Sequence, residues 1–154
     1  MTNEALKDVI VKLAPEATFT ENKQMVVATI PSNQLFSVVK QLKESAETHF
    51  NYLFSLTGVD NNPGLGVVYH FESTDLHHVI CLKTSTTDRV NPTLDSIMSL
   101  YPAAELQERE VYDFLGIKFN NHKDMRRLFL DDEWKGYPLR KDYVDEVNII
   151  DLIK

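Results

Sequence analysis

Leu6, Val9, Ile10 and Leu13 recur at helical spacing near the start of the chain, and Pro15 ends the run. The pattern predicts a short amphipathic helix over Asn3 to Leu13. Two stretches follow, ATFTE and MVVATI, on either side of Asn22-Lys23. They read as a short β-hairpin. After Pro31, Ser32 is placed as the N-cap of a longer helix. Leu35, Val38, Val39, Leu42 and Ala46 mark its apolar face, and it is expected to end near His49.

The pattern then changes. YLFSLTGVD, LGVVYHFE and LHHVICLKT are rich in Val, Tyr, Phe and Ile, which favours strands. Asn61-Asn62-Pro63-Gly64 and Ser73-Thr74-Asp75 separate them as turns, so the three form a meander. Asn91-Pro92 is expected to open a helix through about Leu100. Pro102 starts another to about Leu115, stopped by Gly116. Beyond Asn120 the periodicity fades. The order implies an α+β domain in two layers, helices on one face of a largely antiparallel sheet, over residues 1–119. Residues 120–154 read as an extended C-terminal docking arm.

Composition narrows the function. The chain has 154 residues, 43% of them hydrophobic, which suits one globular domain. Its net charge of −7 argues against nucleic acid, whose phosphates are held by clustered Lys and Arg. The single cysteine, Cys81 in VICLK, excludes an internal disulfide framework and reads as a small buried hydrophobe. MTNEALKDVIVKLAPEA carries Glu4 and Asp8 and lacks a basic leading region, so it does not read as a signal peptide. No run reaches about 20 apolar residues, so contact with a membrane is expected only through partners. His77 and His78, adjacent on an expected strand, point to opposite faces, and His49, His70 and His122 lack ligand spacing. LTGVDNNPGLG lacks the glycine spacing of a phosphate loop.

The chemistry concentrates between Glu108 and Tyr143. On the expected helix, Ala104, Val111 and Leu115 fall within about 40° of each other, and Glu108 points with this apolar face. A carboxylate there needs a cationic or hydrogen-bonding partner. Glu105, Arg109 and Asp113 stand at i, i+4 and i+8 and read as a charge ladder on a solvated face. A stand-alone enzyme built on Glu108, Glu110 or Asp113 finds neither a nucleophile with its base nor a paired-carboxylate cleft. Beyond the helix come Arg126-Arg127, Asp131-Asp132-Glu133, Trp134 and Pro138-Leu139-Arg140-Lys141-Asp142-Tyr143. This stretch is too charged for a core and too aromatic for a solvated linker. Trp, Tyr and Arg are enriched at interface hot spots, and Pro138 suits an extended segment laid on another surface.

EREVYDFLGIKF, NHKDMRRLFL and WKGYPLRKDY together resemble the signature of the 30-kDa-type subunit (the C-type subunit) of bacterial respiratory complex I, the NADH:quinone oxidoreductase. Glu108, Arg109, Glu110, Asp113, Gly116, His122, Arg126 and Arg127 match the first block. Trp134, Gly136, Pro138, Leu139, Arg140, Lys141 and Asp142 match the second. YLFSLTGVD resembles the family's Leu-Thr-Gly-Val-Asp strand. Leu106, Asn121 and Lys123 on either side of His122, Phe129 and Tyr137 depart from the family's usual residues. The resemblance implies a subunit that itself binds no cofactor, in a complex using FMN, iron–sulfur clusters, NADH and a quinone. Four cluster thiolates are beyond a chain with one cysteine. It implies a place on the cytoplasmic side of the bacterial inner membrane. There the arm would pack against the quinone-site large subunit, near the small cluster-bearing subunit. Glu108 and Arg109 would order the joint with the arm; Arg126, Arg127, Trp134, Arg140, Lys141 and Tyr143 would anchor it. Related subunits serve ferredoxin-linked complexes and membrane-bound hydrogenases, which is the alternative setting.

Overall fold

The computed structural model describes residues 1–145; the end of the expected arm, residues 146–154, lies outside the described residues. The elements run α1 (Asn3–Leu13), β1 (Thr18–Thr20), β2 (Val26–Thr29), α2 (Leu35–Glu44), β3 (Tyr52–Asp60), β4 (Leu65–Ser73), β5 (His78–Thr86), β6 (Thr93–Asp95), α3 (Ala104–Leu115) and β7 (Lys118–Asn120). Five strands form one sheet in the order β1-β2-β5-β4-β3, and β6 and β7 form a second, parallel pair. Within the main sheet only β2 and β5 run parallel. The fold is α+β, as its pattern of elements implies.

The alternation of side chains explains the layering. Leu65, Val67, Tyr69 and Phe71 of β4 are buried, while Val68, His70 and Glu72 between them are half-exposed. Register brings Ile80 and Leu82 of β5 opposite Phe71 and Tyr69, on the same face. That face joins the buried sides of α1, α2 and α3 in one apolar core. Cys81 points the other way, is nearly sealed, and burial pushes its thiol up, which suits the small hydrophobe expected of it. In β3, Gly58 allows α3 to pack closely. A Cβ there would stand 2.5 Å from Leu115 Cδ1 and 2.9 Å from Val111 Cγ1.

Several local expectations are corrected. Residues 32–34 form a turn in which the Gln34 N–H donates to Pro31 O, so α2 begins at Leu35 with Gln34, not Ser32, as its N-cap. It ends at Glu44, because the Thr48 hydroxyl and the Phe50 N–H donate to Leu42 O and turn the chain back. Ala46 is exposed beyond the helix and His49 sits at φ 36°. His77 lies in a turn at φ 52°, not on a strand. The helix expected from Asn91-Pro92 is instead β6 followed by a turn. Leu94 and Ile97 have helical spacing, but Leu94 pairs with Phe119 of β7 and tertiary pairing overrides the local pattern.

Candidate functional site

Four carbonyls end every α-helix without an internal partner. In α3 these are Tyr112, Asp113, Phe114 and Leu115, and no basic residue stands in the last turn to answer them. The Tyr112 carbonyl is met by the N–H of Gly116, the left-handed C-cap at φ 73°. The C-terminal arm meets the other three. Arg127 Nη1 donates to Asp113 O at 3.0 Å, the Leu139 N–H to Phe114 O at 3.1 Å and Arg140 Nε to Leu115 O at 2.6 Å. Two arginines, one from each charged block, thus place positive charge on the negative end of the helix. Gly116 is required twice over, since a Cβ on it would also stand 2.5 Å from Tyr137 and 2.6 Å from Arg140. Both guanidinium groups lie over the Tyr137 ring, at 5.4 Å for Arg127 and 4.7 Å for Arg140.

Asp113 and Arg109 do not form a solvated ladder. Asp113 is fully buried, and its carboxylate accepts from Arg127 Nη1 and from the N–H groups of Leu128, Phe129 and Leu130. Burial pushes this carboxyl up. The three N–H donors and the guanidinium outweigh it and hold Asp113 below the usual carboxylate range. Arg109 reaches the Arg126 and Arg127 carbonyls at 3.0 and 2.9 Å. So α3 turns one polar face to the arm rather than to water.

Glu108 points inward with the apolar face, as its position on the wheel requires. It is fully buried; Oε2 accepts from Ser96 Oγ at 2.6 Å and Oε1 from the Ile97 N–H at 2.8 Å. Burial pushes its pKa up to about 7, against the pull of those two hydrogen bonds. His122 Nε2 lies 3.9 Å from Glu108 but donates to Glu105 O, while Nδ1 accepts from the Asp124 N–H. Its ring joins α3 to the start of the arm.

Arg89 is a residue that sequence reasoning did not single out. Its guanidinium donates to both Asp60 oxygens at 2.8 Å and to both Asp142 oxygens at 3.3 and 2.9 Å. Its carbonyl accepts from Arg140 Nη1 at 2.8 Å, and the Lys141 N–H donates to Asp60 at 2.9 Å. The Asp of LTGVD is thereby tied to the Arg-Lys-Asp of the second block. The partners stand 53 and 81 positions apart, so no local pattern betrays them.

The remaining arm residues face outward. Glu110, on α3, is exposed, and Arg126 is exposed and pairs with Asp124. Phe129, Leu139 and Val144 are 65%, 62% and 82% exposed, and Trp134 is 40% exposed. Phe129 stacks on Phe114, beside the carbonyl that Leu139 caps. A hollow of about 500 Å³ is lined by Glu133, Trp134, Tyr137, Arg140, Asp142 and Tyr143 among others. The arrangement is a strip seated on α3 by hydrogen bonds, with apolar and aromatic side chains exposed on its outer side. Glu108 and Asp113 are sealed from solvent.

Comparison with known proteins gives this geometry a family. Residues 28–147 match the family described as respiratory-chain NADH dehydrogenase, 30 Kd subunit. An NADH-quinone oxidoreductase C-type subunit from Moorella thermoacetica is 36% identical over 134 residues, covering 86% of this chain and 88% of that one. A C/D-type subunit of the same enzyme from Phocaeicola vulgatus is 48% identical over 120 residues, 77% of this chain but only 23% of that longer protein. Among solved structures, a chain of the archaeal membrane-bound sulfane sulfur reductase, a respiratory membrane complex, superposes with a TM-score of 0.78 at 26% identity, covering 97% of this chain and 89% of that chain. The protein belongs to the 30-kDa subunit family of respiratory-chain NADH dehydrogenases. Among the described residues no helix is long and apolar enough to cross a membrane.

Proposed function

We propose that this chain is a structural, non-catalytic subunit of the peripheral part of a proton-translocating NADH:quinone oxidoreductase. It docks on the quinone-site large subunit and supports electron transfer from NADH to quinone without binding a cofactor itself. The observation that carries the reading is the family match over residues 28–147, which takes in both charged blocks. The C/D-type relatives support the choice of partner. In the Phocaeicola vulgatus protein the matched segment is 23% of a chain whose name joins two subunits of the enzyme, C and D. We take the second of these to be the large subunit on which the free chain sits. The internal charges of the arm fix its shape, and the outward Phe129, Trp134, Leu139 and Val144 supply the contact. Attachment to the cytoplasmic side of the membrane follows through partners.

The alternative setting is a ferredoxin-linked or hydrogenase-type complex; the likeness to a chain of an archaeal sulfane sulfur reductase, a respiratory membrane complex under another name, is the observation that keeps a second machine in view. Affinity capture of the tagged full chain from its native membranes separates the two. Recovery of the large subunit with NADH-oxidising flavoprotein subunits supports the proposal. Recovery with hydrogenase or ferredoxin-linked subunits moves the chain to the other machine. Recovery of the chain alone, with the complex intact, contradicts both.

A further inference from the structure

We propose that Arg89 is the positioning residue that sets the docking pose of the C-terminal arm. The inference rests on the docking reading above. Arg89 lies outside both charged blocks, in the loop after β5, and that loop is itself fixed. The Asp88 carboxylate accepts the N–H groups of Val90 and Asn91, each at 2.9 Å, which turns the Arg89 side chain and carbonyl toward the arm. From there one residue makes three attachments. It grips Asp60 at the end of β3, grips Asp142 in the arm and receives Arg140 on its carbonyl.

The environments of the partners differ in a useful way. The Asp60 side chain is 3% exposed and also accepts the N–H groups of Asn62 and Lys141. The Asp142 side chain is 58% exposed. The Asp60 pair is therefore built into the domain, while the Asp142 pair is a clasp at the surface. Charge-assisted fork-to-fork bonds fix direction as well as distance, which a lysine in this place would not do. Without the clasp, the second block keeps Arg140 on Leu115 O and the Lys141 N–H on Asp60 but loses the side-chain hold on Asp142, which lines the hollow beside Trp134. Arg89 thus controls the presentation of the contact surface while lying outside the family's two charged blocks.

Trp134, the chain's only tryptophan, reports the arm directly. The test uses the full chain as Arg89→Lys, Arg89→Ala and Asp142→Asn. Asp142→Asn opens the surface clasp while leaving the part-buried Asp60–Arg89 pair in place, so it stays informative where Arg89→Ala fails to fold. Limited proteolysis between residues 121 and 143, Trp134 emission and capture of partner subunits from membranes are read together. Arg89→Ala is expected to speed cleavage of the arm by about tenfold, and Asp142→Asn, which opens only a solvent-screened pair, by about two- to fivefold. Trp134 emission is expected to shift to the red and partner capture to fall, with Arg89→Lys closer to Arg89→Ala than to the native chain. Unchanged cleavage and emission in Asp142→Asn and Arg89→Lys overturns the role of Arg89 and leaves the docking reading standing. A loosened arm with undiminished partner capture overturns the docking reading itself.

Discussion

The guanidinium of Arg127 holds both the carboxylate and the backbone carbonyl of Asp113, at 2.9 and 3.0 Å, with the carboxylate fully buried. Removing one member of a buried pair leaves the other side unanswered, at a cost of about 3 kcal/mol or more. Asp113→Asn is expected to lower Tm by roughly 10 °C. It also changes the acid limb. The native-state pKa of Asp113 is depressed, so its contribution is complete above the ordinary 3.8 and is lost as pH falls through the lower folded value. Thermal melts from neutral pH down to the acid transition should show the variant less stable at neutrality and the two curves converging in acid. Parallel curves over the whole range would contradict the assignment.

Glu108 works with the opposite sign. Its pKa rises from 4.5 to about 7 on folding, so its contribution is fully present below 4.5 and is lost as pH rises through 7. The rise corresponds to about 3 kcal/mol across that window. Glu108→Gln keeps the shape and a hydrogen bond to the Ile97 N–H but removes the charge. The native chain is expected to lose stability from pH 4.5 to about 8 relative to the variant, measured as the difference in denaturation midpoint. A difference that does not vary with pH would show that Glu108 titrates as it does when unfolded.

Gly58 is fixed by packing. Its missing Cβ would lie 2.5 Å from Leu115 Cδ1, so Gly58→Ala forces β3 and α3 apart. Overpacking of this kind costs about 1–3 kcal/mol. Urea denaturation of the two chains measures it, and an unchanged midpoint would mean that α3 shifts without cost.

Much of the fold was legible because its signals are local. The α1 face, the three-strand meander with its Asn-Pro-Gly turn and the Gly116 stop each follow from residues a few positions apart. The inward position of Glu108 followed from helical geometry alone. What escaped was set at a distance. Leu94 belongs to a strand because of Phe119, and Asp113 is buried because the arm folds over it. The charged blocks were recognisable as a unit from their composition. That Arg127 and Arg140 cap α3, and that Arg89 ties Asp60 to Asp142, depends on contacts between residues 14 to 53 positions apart.

The outward side chains separate folding from docking. Trp134→Ala and Leu139→Ser remove exposed groups, so each should change the stability of the isolated chain by no more than about 0.5 kcal/mol. Partner capture from membranes should nevertheless fall, because exposed apolar and aromatic anchors carry a disproportionate share of interface energy. Normal capture by the double variant would move the contact to another face.

In the proposed docking, the outer side of the arm is the face seated on the large subunit. A photo-crosslinking residue in place of Leu139, which is 62% exposed, tests it in the assembled complex. The expected result is a covalent adduct between this chain and the large subunit, identified by mass spectrometry. Adducts formed only within the chain, from a complex that retains its subunits, would contradict it.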